Sequence, residues 1–249
     1  MATTSWEADA SVPVAVAEVL EEIAVANRIL FQQGVVDGFG HVSLRHPARP
    51  DCFLLARRMA PALVAAADII CFGPDGEPLD AQGRPVYLER FIHSEIFRVR
   101  PDVMSVVHSH SPSVVPFGVV RKVALRPIFH MCGFLGASTP VFEIRDTAGQ
   151  GSDMLIRDRA LGAALARDLG MRAAVLMRGH GSTVVGGSLR QAVFRAVYTE
   201  VNAKLQGDAM RLGEVTYLTD AEAAAASRMM DGQLDRSWDM WRMQASGEI

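Results

Sequence analysis

His108 and His110 stand two residues apart at the end of VMSVVHSHSP (Val103–Pro112), where four of the first five residues are apolar. In a strand, residues i and i+2 point to one face, so both imidazoles leave the strand end in the same direction. That is what a divalent metal needs from two of its ligands. A third nitrogen is offered by His180, in Arg178-Gly179-His180-Gly181-Ser182 directly after the apolar run Ala173–Met177. Between two glycines, His180 can approach a ligand with no neighbouring side chain in the way. Taken singly, each of these is as readily a strand-end or turn histidine. Together, in a chain with seven histidines, they form a three-His set that leaves a coordination position open for substrate.

Other chemistry-bearing residues surround this set in the sequence. Glu89 opens a helix in YLERFIHSE, where the helix macrodipole holds a carboxylate ionised. Beside a metal it could serve as fourth ligand or as a base. His93, one turn further on, reads as a packed or solvated residue rather than a ligand. Arg57 and Arg58 end a strand, so at most one enters a given pocket, and a guanidinium there suits a carboxylate or phosphate. His41, after Gly38-Phe39-Gly40, could hydrogen-bond a substrate or lie in a surface turn.

The elements that must position these residues follow from periodicity. Apolar spacing of three and four predicts helices over Pro13–Gln33, Leu88–Val99 and Arg157–Leu169. Val16, Leu20, Ile23, Ala24, Leu30 and Phe31 make the apolar face of the first, with Asn27 its one polar member. Ser188 opens a long helix to about Arg211, and Thr219 another to about Met240. Ser111 and Pro112 suit the start of a short helix. Strands are predicted at His41–Arg45, Cys52–Ala56, Asp68–Phe72, Val103–Val107, Val141–Ile144 (an edge) and Ala173–Met177, with Thr183–Val185 as hairpin partner of the last. Gly73–Gly76 reads as a hairpin tip, and Arg126–Ser138 is ambiguous. The strands lack a regular βαβ rhythm, so the expected fold is α/β with a predominantly antiparallel sheet covered by helices.

Bulk properties bound the function. The 249 residues are 49% apolar and 21% charged, with a net charge of −3. That suits one domain with an ample core and no basic field for nucleic acid or anionic membrane. No apolar stretch approaches the roughly 20 residues of a membrane span. The start MATTSWEADA lacks a signal peptide's basic and apolar segments, and Cys52, Cys71 and Cys132 are too few and scattered for a disulfide framework. A reducing cytoplasm is the expected location.

With these residues assembled, the chain resembles the class II aldolase/adducin family from about Val16 to Gly207. The motifs are Gly40-His41-Val42-Ser43-Leu44-Arg45, the Glu89 region, Arg100-Pro101-Asp102 leading to His108-Ser109-His110, and Arg178-Gly179-His180-Gly181. The resemblance implies one α/β/α domain of three layers with a mostly antiparallel central sheet. It leaves an N-terminal extension of about 1–12 and a C-terminal helical extension of about 213–249. It also implies one divalent metal (Mn2+, Zn2+ or Co2+) on His108, His110 and His180, Glu89 as acid/base or fourth ligand, and a homotetramer with sites at subunit interfaces.

Departures from the family's phosphosugar enzymes indicate a different substrate. His41 stands where they have Asn, Arg58-Met59 where a Thr-Gly pair binds phosphate, and Tyr87-Leu88 where Ser-Ser precedes the catalytic Glu. Met131 after His130 stands where they supply a Tyr acid across the interface. Arg58, His41, Tyr87 and His130 are therefore the candidate substrate-binding residues, forming a pocket for a planar carboxylate. Runs such as ARRMAP, HMCGFLG and LMRGHG resemble the family's decarboxylase branch. That branch acts on 3-hydroxy-2-methylpyridine-4,5-dicarboxylate in vitamin B6 breakdown and on dihydroxyphthalates. The implied reaction protonates the carboxyl-bearing ring carbon ortho to a hydroxyl and releases CO2. A metal-dependent aldolase on a non-phosphorylated hydroxy acid is the alternative, and a non-catalytic assembly module like the adducin head comes third.

Overall fold

Alternation along the strands divides the core into two apolar layers, one on each face of a single sheet. In the computed structural model, residues 14–248 are described, with side chains from 16. The expected N-terminal extension, with Pro13 as the start of the first helix, lies outside them. In β2 (Phe53–Ala56), Phe53 and Leu55 face one layer while Leu54 and Ala56 face the other. The same alternation holds in β4 (Ser105–Ser109), β6 (Ala174–Met177) and β7 (Gly181–Gly186). A sheet buried on both faces needs two helical covers, which makes three layers.

One cover is α2 (Arg90–Val99) with α5 (Arg159–Leu169). The other is α1 (Val14–Gln32), α6 (Leu189–Leu212) and α8 (Leu234–Ser246), whose Trp238 and Trp241 are buried. Each large side chain fully buried in these layers contributes about 1.5–3 kcal/mol relative to exposure. With β1 (His41–Arg45), β3 (Ile69–Phe72) and β5 (Val141–Phe142), the seven strands run in the order β3-β2-β1-β4-β7-β6-β5. Among the described residues five neighbouring pairs are antiparallel, and β5–β6 is parallel. The expected three-layer α/β architecture is the observed one. Ser188 caps α6 by accepting from the Gln191 amide, and Thr219 and Glu222 form a capping box on α7 (Asp220–Asp231).

Several local expectations need correction. The helix expected over Thr219–Met240 is two helices, α7 and α8, parted at Gly232. The Ala-rich tract has high helix propensity, but Gly232 and Gln233 carry the chain out of it. The short helix after β4 is α3 (Val115–Val119), capped at Val114 rather than Ser111. The Ser111 hydroxyl instead donates to the Val35 carbonyl at 3.2 Å. Phe31, assigned to the apolar face of α1, is 46% exposed. The edge strand stops at Phe142 and leads to a one-turn helix, α4 (Arg145–Ala148). The ambiguous stretch after Arg126 holds a 3-10 segment, His130–Leu135, that packs on α7. Asn27 is buried and its Nδ2 donates to the Ile23 carbonyl within α1. The three cysteines are free and buried, and among the described residues no helix is long and apolar enough to cross a membrane.

Candidate metal centre

Val106 packs toward α2 and α5, so His108, two residues on, inherits that face of β4. His41 is its register partner on β1, and β7 lies on its other side with Thr183 opposite. His110 follows just past the strand end. His180 sits in the β6–β7 turn, where its amide donates to the Met177 carbonyl at 3.0 Å. Gly179 turns the chain there with φ +64°, and Gly181 lets β7 approach β4 so closely that an added Cβ would lie 2.0 Å from the Ser109 carbonyl oxygen. Glu89 arrives from the other layer as the residue capping α2, with its side chain not used for capping.

Ligand atoms of Glu89, His108, His110 and His180 all lie within 4.8 Å of one another. Glu89 Oε2 is 3.5 Å from both His108 Nε2 and His180 Nε2, and His180 Nε2 is 3.0 Å from His110 Nε2. A tetrahedral ion with bonds of about 2.0–2.1 Å spaces its ligand atoms roughly 3.3–3.4 Å apart, so these separations match a metal's ligand shell. His108 Nδ1 lies 3.1 Å from the Ser182 carbonyl, which takes its hydrogen and leaves Nε2 a bare lone pair. That Nε2 is buried with no hydrogen-bond partner, and the ionised Glu89 carboxylate 3.5 Å away has no hydrogen to give it. A buried acceptor left unsatisfied beside two imidazoles and a carboxylate is the condition a cation relieves. The donor set fits a divalent metal.

Electrostatics agree. Burial alone would raise the Glu89 carboxyl, but the attraction of His108 and then His180 outweighs it and holds the group well below its ordinary range. Its Oε1 accepts from the Ile156 amide at 2.9 Å, which leaves Oε2 for the cluster. Burial, then the neighbouring His108 and His180, lowers His110 to about 4. His110 is thus a neutral ligand at neutral pH.

His41 and Tyr87 line the same recess. Their ring centroids are 4.5 Å apart, and His41 is 5.1 Å from His108. Burial lowers His41 well below its ordinary value, and burial lowers His93 to about 3. The Tyr87 hydroxyl donates to the Met59 carbonyl at 2.6 Å, so the tyrosine offers the recess its ring rather than its hydroxyl. Of the two arginines, Arg57 pairs with Asp68 at 2.7 Å. Arg58 is exposed, forms no ion pair among the described residues, and precedes the Met59 that holds Tyr87. His130 is exposed at the start of the 3-10 segment and, among the described residues, is not one of the clustered ligands. Residue types could not reveal the Ile156 amide or the Ser182 carbonyl, since backbone groups carry no signature. His93 is packed, as its position suggests, but between Ser43 and His41.

By fold and by sequence this chain belongs to the class II aldolase and adducin family: the profile described as "Class II Aldolase and Adducin N-terminal domain" matches residues 21–207. The chain is 39% identical over 236 residues to a protein named decarboxylase tropJ from Talaromyces stipitatus, covering 86% of this chain and 88% of that protein. It is 34% identical over 209 residues to 3,4-dihydroxyphthalate decarboxylase of Arthrobacter keyseri, covering 78% and 79% of the two chains. In structure it is similar to L-fuculose 1-phosphate aldolase from Glaciozyma antarctica, with a TM-score of 0.77, 22% identity and coverage of 96% and 94%. At that identity the likeness is one of fold.

Proposed function

We propose that this protein is a metal-dependent decarboxylase that removes the carboxylate ortho to a hydroxyl on an aromatic or pyridine dicarboxylate. The observation that carries this reading is the Glu89, His108, His110 and His180 cluster opening beside the rings of Tyr87 and His41. Both relatives described above are named decarboxylases, and one is named for a dihydroxylated phthalate. A divalent cation, when bound, supplies Lewis-acid stabilisation of negative charge on substrate oxygen, and Mn2+, Zn2+ and Co2+ all suit three imidazoles with a carboxylate.

The chain's own residues do the rest. Glu89 enters ionised and, tethered through Oε1, uses Oε2 to accept the substrate's hydroxyl proton. Delivered to the carboxyl-bearing carbon, that proton lets CO2 leave with the ring regaining aromaticity as a phenolate, which water then protonates. The rings of Tyr87 and His41 hold a planar substrate, and Arg58 takes the spared carboxylate. The assembly we favour is a cytoplasmic homotetramer in which His130 reaches a neighbouring chain's centre.

The test is CO2 release from hydroxylated phthalates and hydroxypyridine dicarboxylates by protein loaded with Mn2+, Co2+ or Zn2+. We expect turnover of at least one ortho-hydroxy dicarboxylate and its loss in His108→Ala. Absence of CO2 from every such compound, with pyruvate or an aldehyde formed from a hydroxy acid instead, overturns the reading in favour of an aldolase. Intact turnover in His108→Ala overturns the metal's role.

A further inference from the structure

Behind the metal cluster runs a line of three side chains whose hydrogen-bonding atoms the proposed reaction leaves unused. Ser43 Oγ lies 2.6 Å from His93 Nδ1, and His93 Nε2 lies 2.7 Å from His41 Nδ1. Ser43 and His93 are fully buried and His41 is 3% exposed. The line ends at His41 Nε2, which has no hydrogen-bond partner among the described residues. Of the three residues, His41 alone keeps any exposure to solvent. With its ring 4.5 Å from Tyr87 and 5.1 Å from His108, that nitrogen belongs to the substrate recess.

Two proton arrangements satisfy both hydrogen bonds with neutral rings. In the first, the Ser43 hydroxyl donates to His93 Nδ1, His93 Nε2–H donates to His41 Nδ1, and His41 carries its hydrogen on Nε2. In the second every bond is reversed, and His41 meets the recess with a bare lone pair. The second strands the Ser43 hydroxyl hydrogen, because Oγ has no other partner among the described residues. A buried hydrogen with no acceptor bears its full desolvation cost, and the first arrangement places its one unpaired hydrogen on His41, which keeps 3% exposure, and not on the Ser43 hydroxyl, which has none. The first arrangement wins. It also explains why a serine, at the far end of a buried line, matters to a ring that it never touches.

We propose that Ser43 and His93 are positioning residues that fix His41 as an Nε2–H donor, aimed at the substrate oxygen on which negative charge collects as the carboxylate leaves. A donor held in place before charge develops needs no reorganisation when it does. The choice of oxygen rests on the decarboxylase reading; the placement of the hydrogen does not.

The experiment has two arms. Long-range 1H–15N spectra of histidine-labelled protein, metal-free and Zn2+-loaded, distinguish protonated from bare ring nitrogens, with His41→Asn providing the assignment. We expect His41 to be protonated on Nε2 and bare on Nδ1. Ser43→Ala should give a mixture of the two forms. His93→Gln, whose amide can accept from Ser43 and donate to His41, should keep the wild-type form. In the second arm, with a substrate that releases CO2, Ser43→Ala should lower kcat about tenfold with little change in KM, because the donor acts mainly in the transition state. His93→Gln should retain most of kcat and His93→Leu should not. His41 protonated on Nδ1, or a hydrogen position unmoved by Ser43→Ala, overturns the proposal. The expected spectra without CO2 release from any substrate would sink the reaction and leave the hydrogen placement standing. CO2 release with wild-type kcat in Ser43→Ala would sink the positioning role alone.

Discussion

Replacing Gly181 with alanine tests whether the close approach of β7 to β4 builds the metal centre. The new Cβ would lie 2.0 Å from the Ser109 carbonyl oxygen, 2.9 Å from the Ser109 carbonyl carbon and 3.0 Å from His110 Cα. Ordinary contact begins near 3.4 Å, so the strands must part by about 1.4 Å. The neighbouring residues are backbone on both sides, and no flexible side chain can give way. Overpacking of this kind costs about 1–3 kcal/mol and occasionally more. The displacement falls between His180, in the turn that enters β7, and His108 and His110, in and just past β4, so it separates ligands held by different strand ends. Where the cost falls on the loaded state, about 1.4 kcal/mol per tenfold converts it to roughly a 5- to 150-fold loss of metal affinity. Isothermal titration with Zn2+ and thermal unfolding of the metal-free protein measure the two parts. Wild-type affinity together with an unchanged Tm would refute the reasoning, for the strands would then not be held where the glycine puts them.

Other outcomes follow from the same geometry. Glu89→Gln should weaken Zn2+ binding at least about tenfold by removing the one negative ligand from the cluster. It should leave α2 folded, as seen by circular dichroism, because the Glu89 side chain makes no capping bond. Arg45→Met should destabilise the protein by about 2–4 kcal/mol in urea unfolding, since the buried guanidinium donates to the carbonyls of Pro50, Phe97, Arg100 and Val103. Metal-free protein should lose stability as pH falls from about 6.5 toward 3. Burial sets the folded values of His41, His93 and His110 below the ordinary value, so over that window the unfolded chain binds more protons. A Tm that stays flat between pH 7 and 5 would contradict this.

The metal cluster was legible in the sequence because its geometry is local. Two histidines at strand spacing, and a third between glycines at a strand end, need only the period of a strand to be placed. An antiparallel sheet covered by helices was legible from strand and helix periods, and its three layers only from the family resemblance. Long-range features were not. Ser43 and His93 are fifty residues apart, and only the pairing of β1 with β4 beneath α2 brings them together. The break between α7 and α8 was hidden by an alanine tract whose propensity masks a lone Gly232. Phe31 follows the helical period of α1 yet stays exposed, because the period says which face it shares and not how far the partner layer extends.

The residues beside the cluster are fastened from behind. The Tyr87 hydroxyl is bracketed by the carbonyl of Met59 at 2.6 Å and the amide of Met59 at 3.4 Å. That bond ties the 57–59 segment, and Arg58 with it, to the entry of α2. His41 is held by His93 in the same way. The two rings lie 4.5 Å apart and are tilted 45° to each other, so each presents its own face or edge. A sugar phosphate asks for several donors around a tetrahedral anion. Here the Tyr87 hydroxyl is already spent on Met59, and His41 Nε2 is without a partner among the described residues. On the decarboxylase proposal, a planar ring would offer one carboxylate to Arg58 and a hydroxyl-carboxylate pair to the cluster.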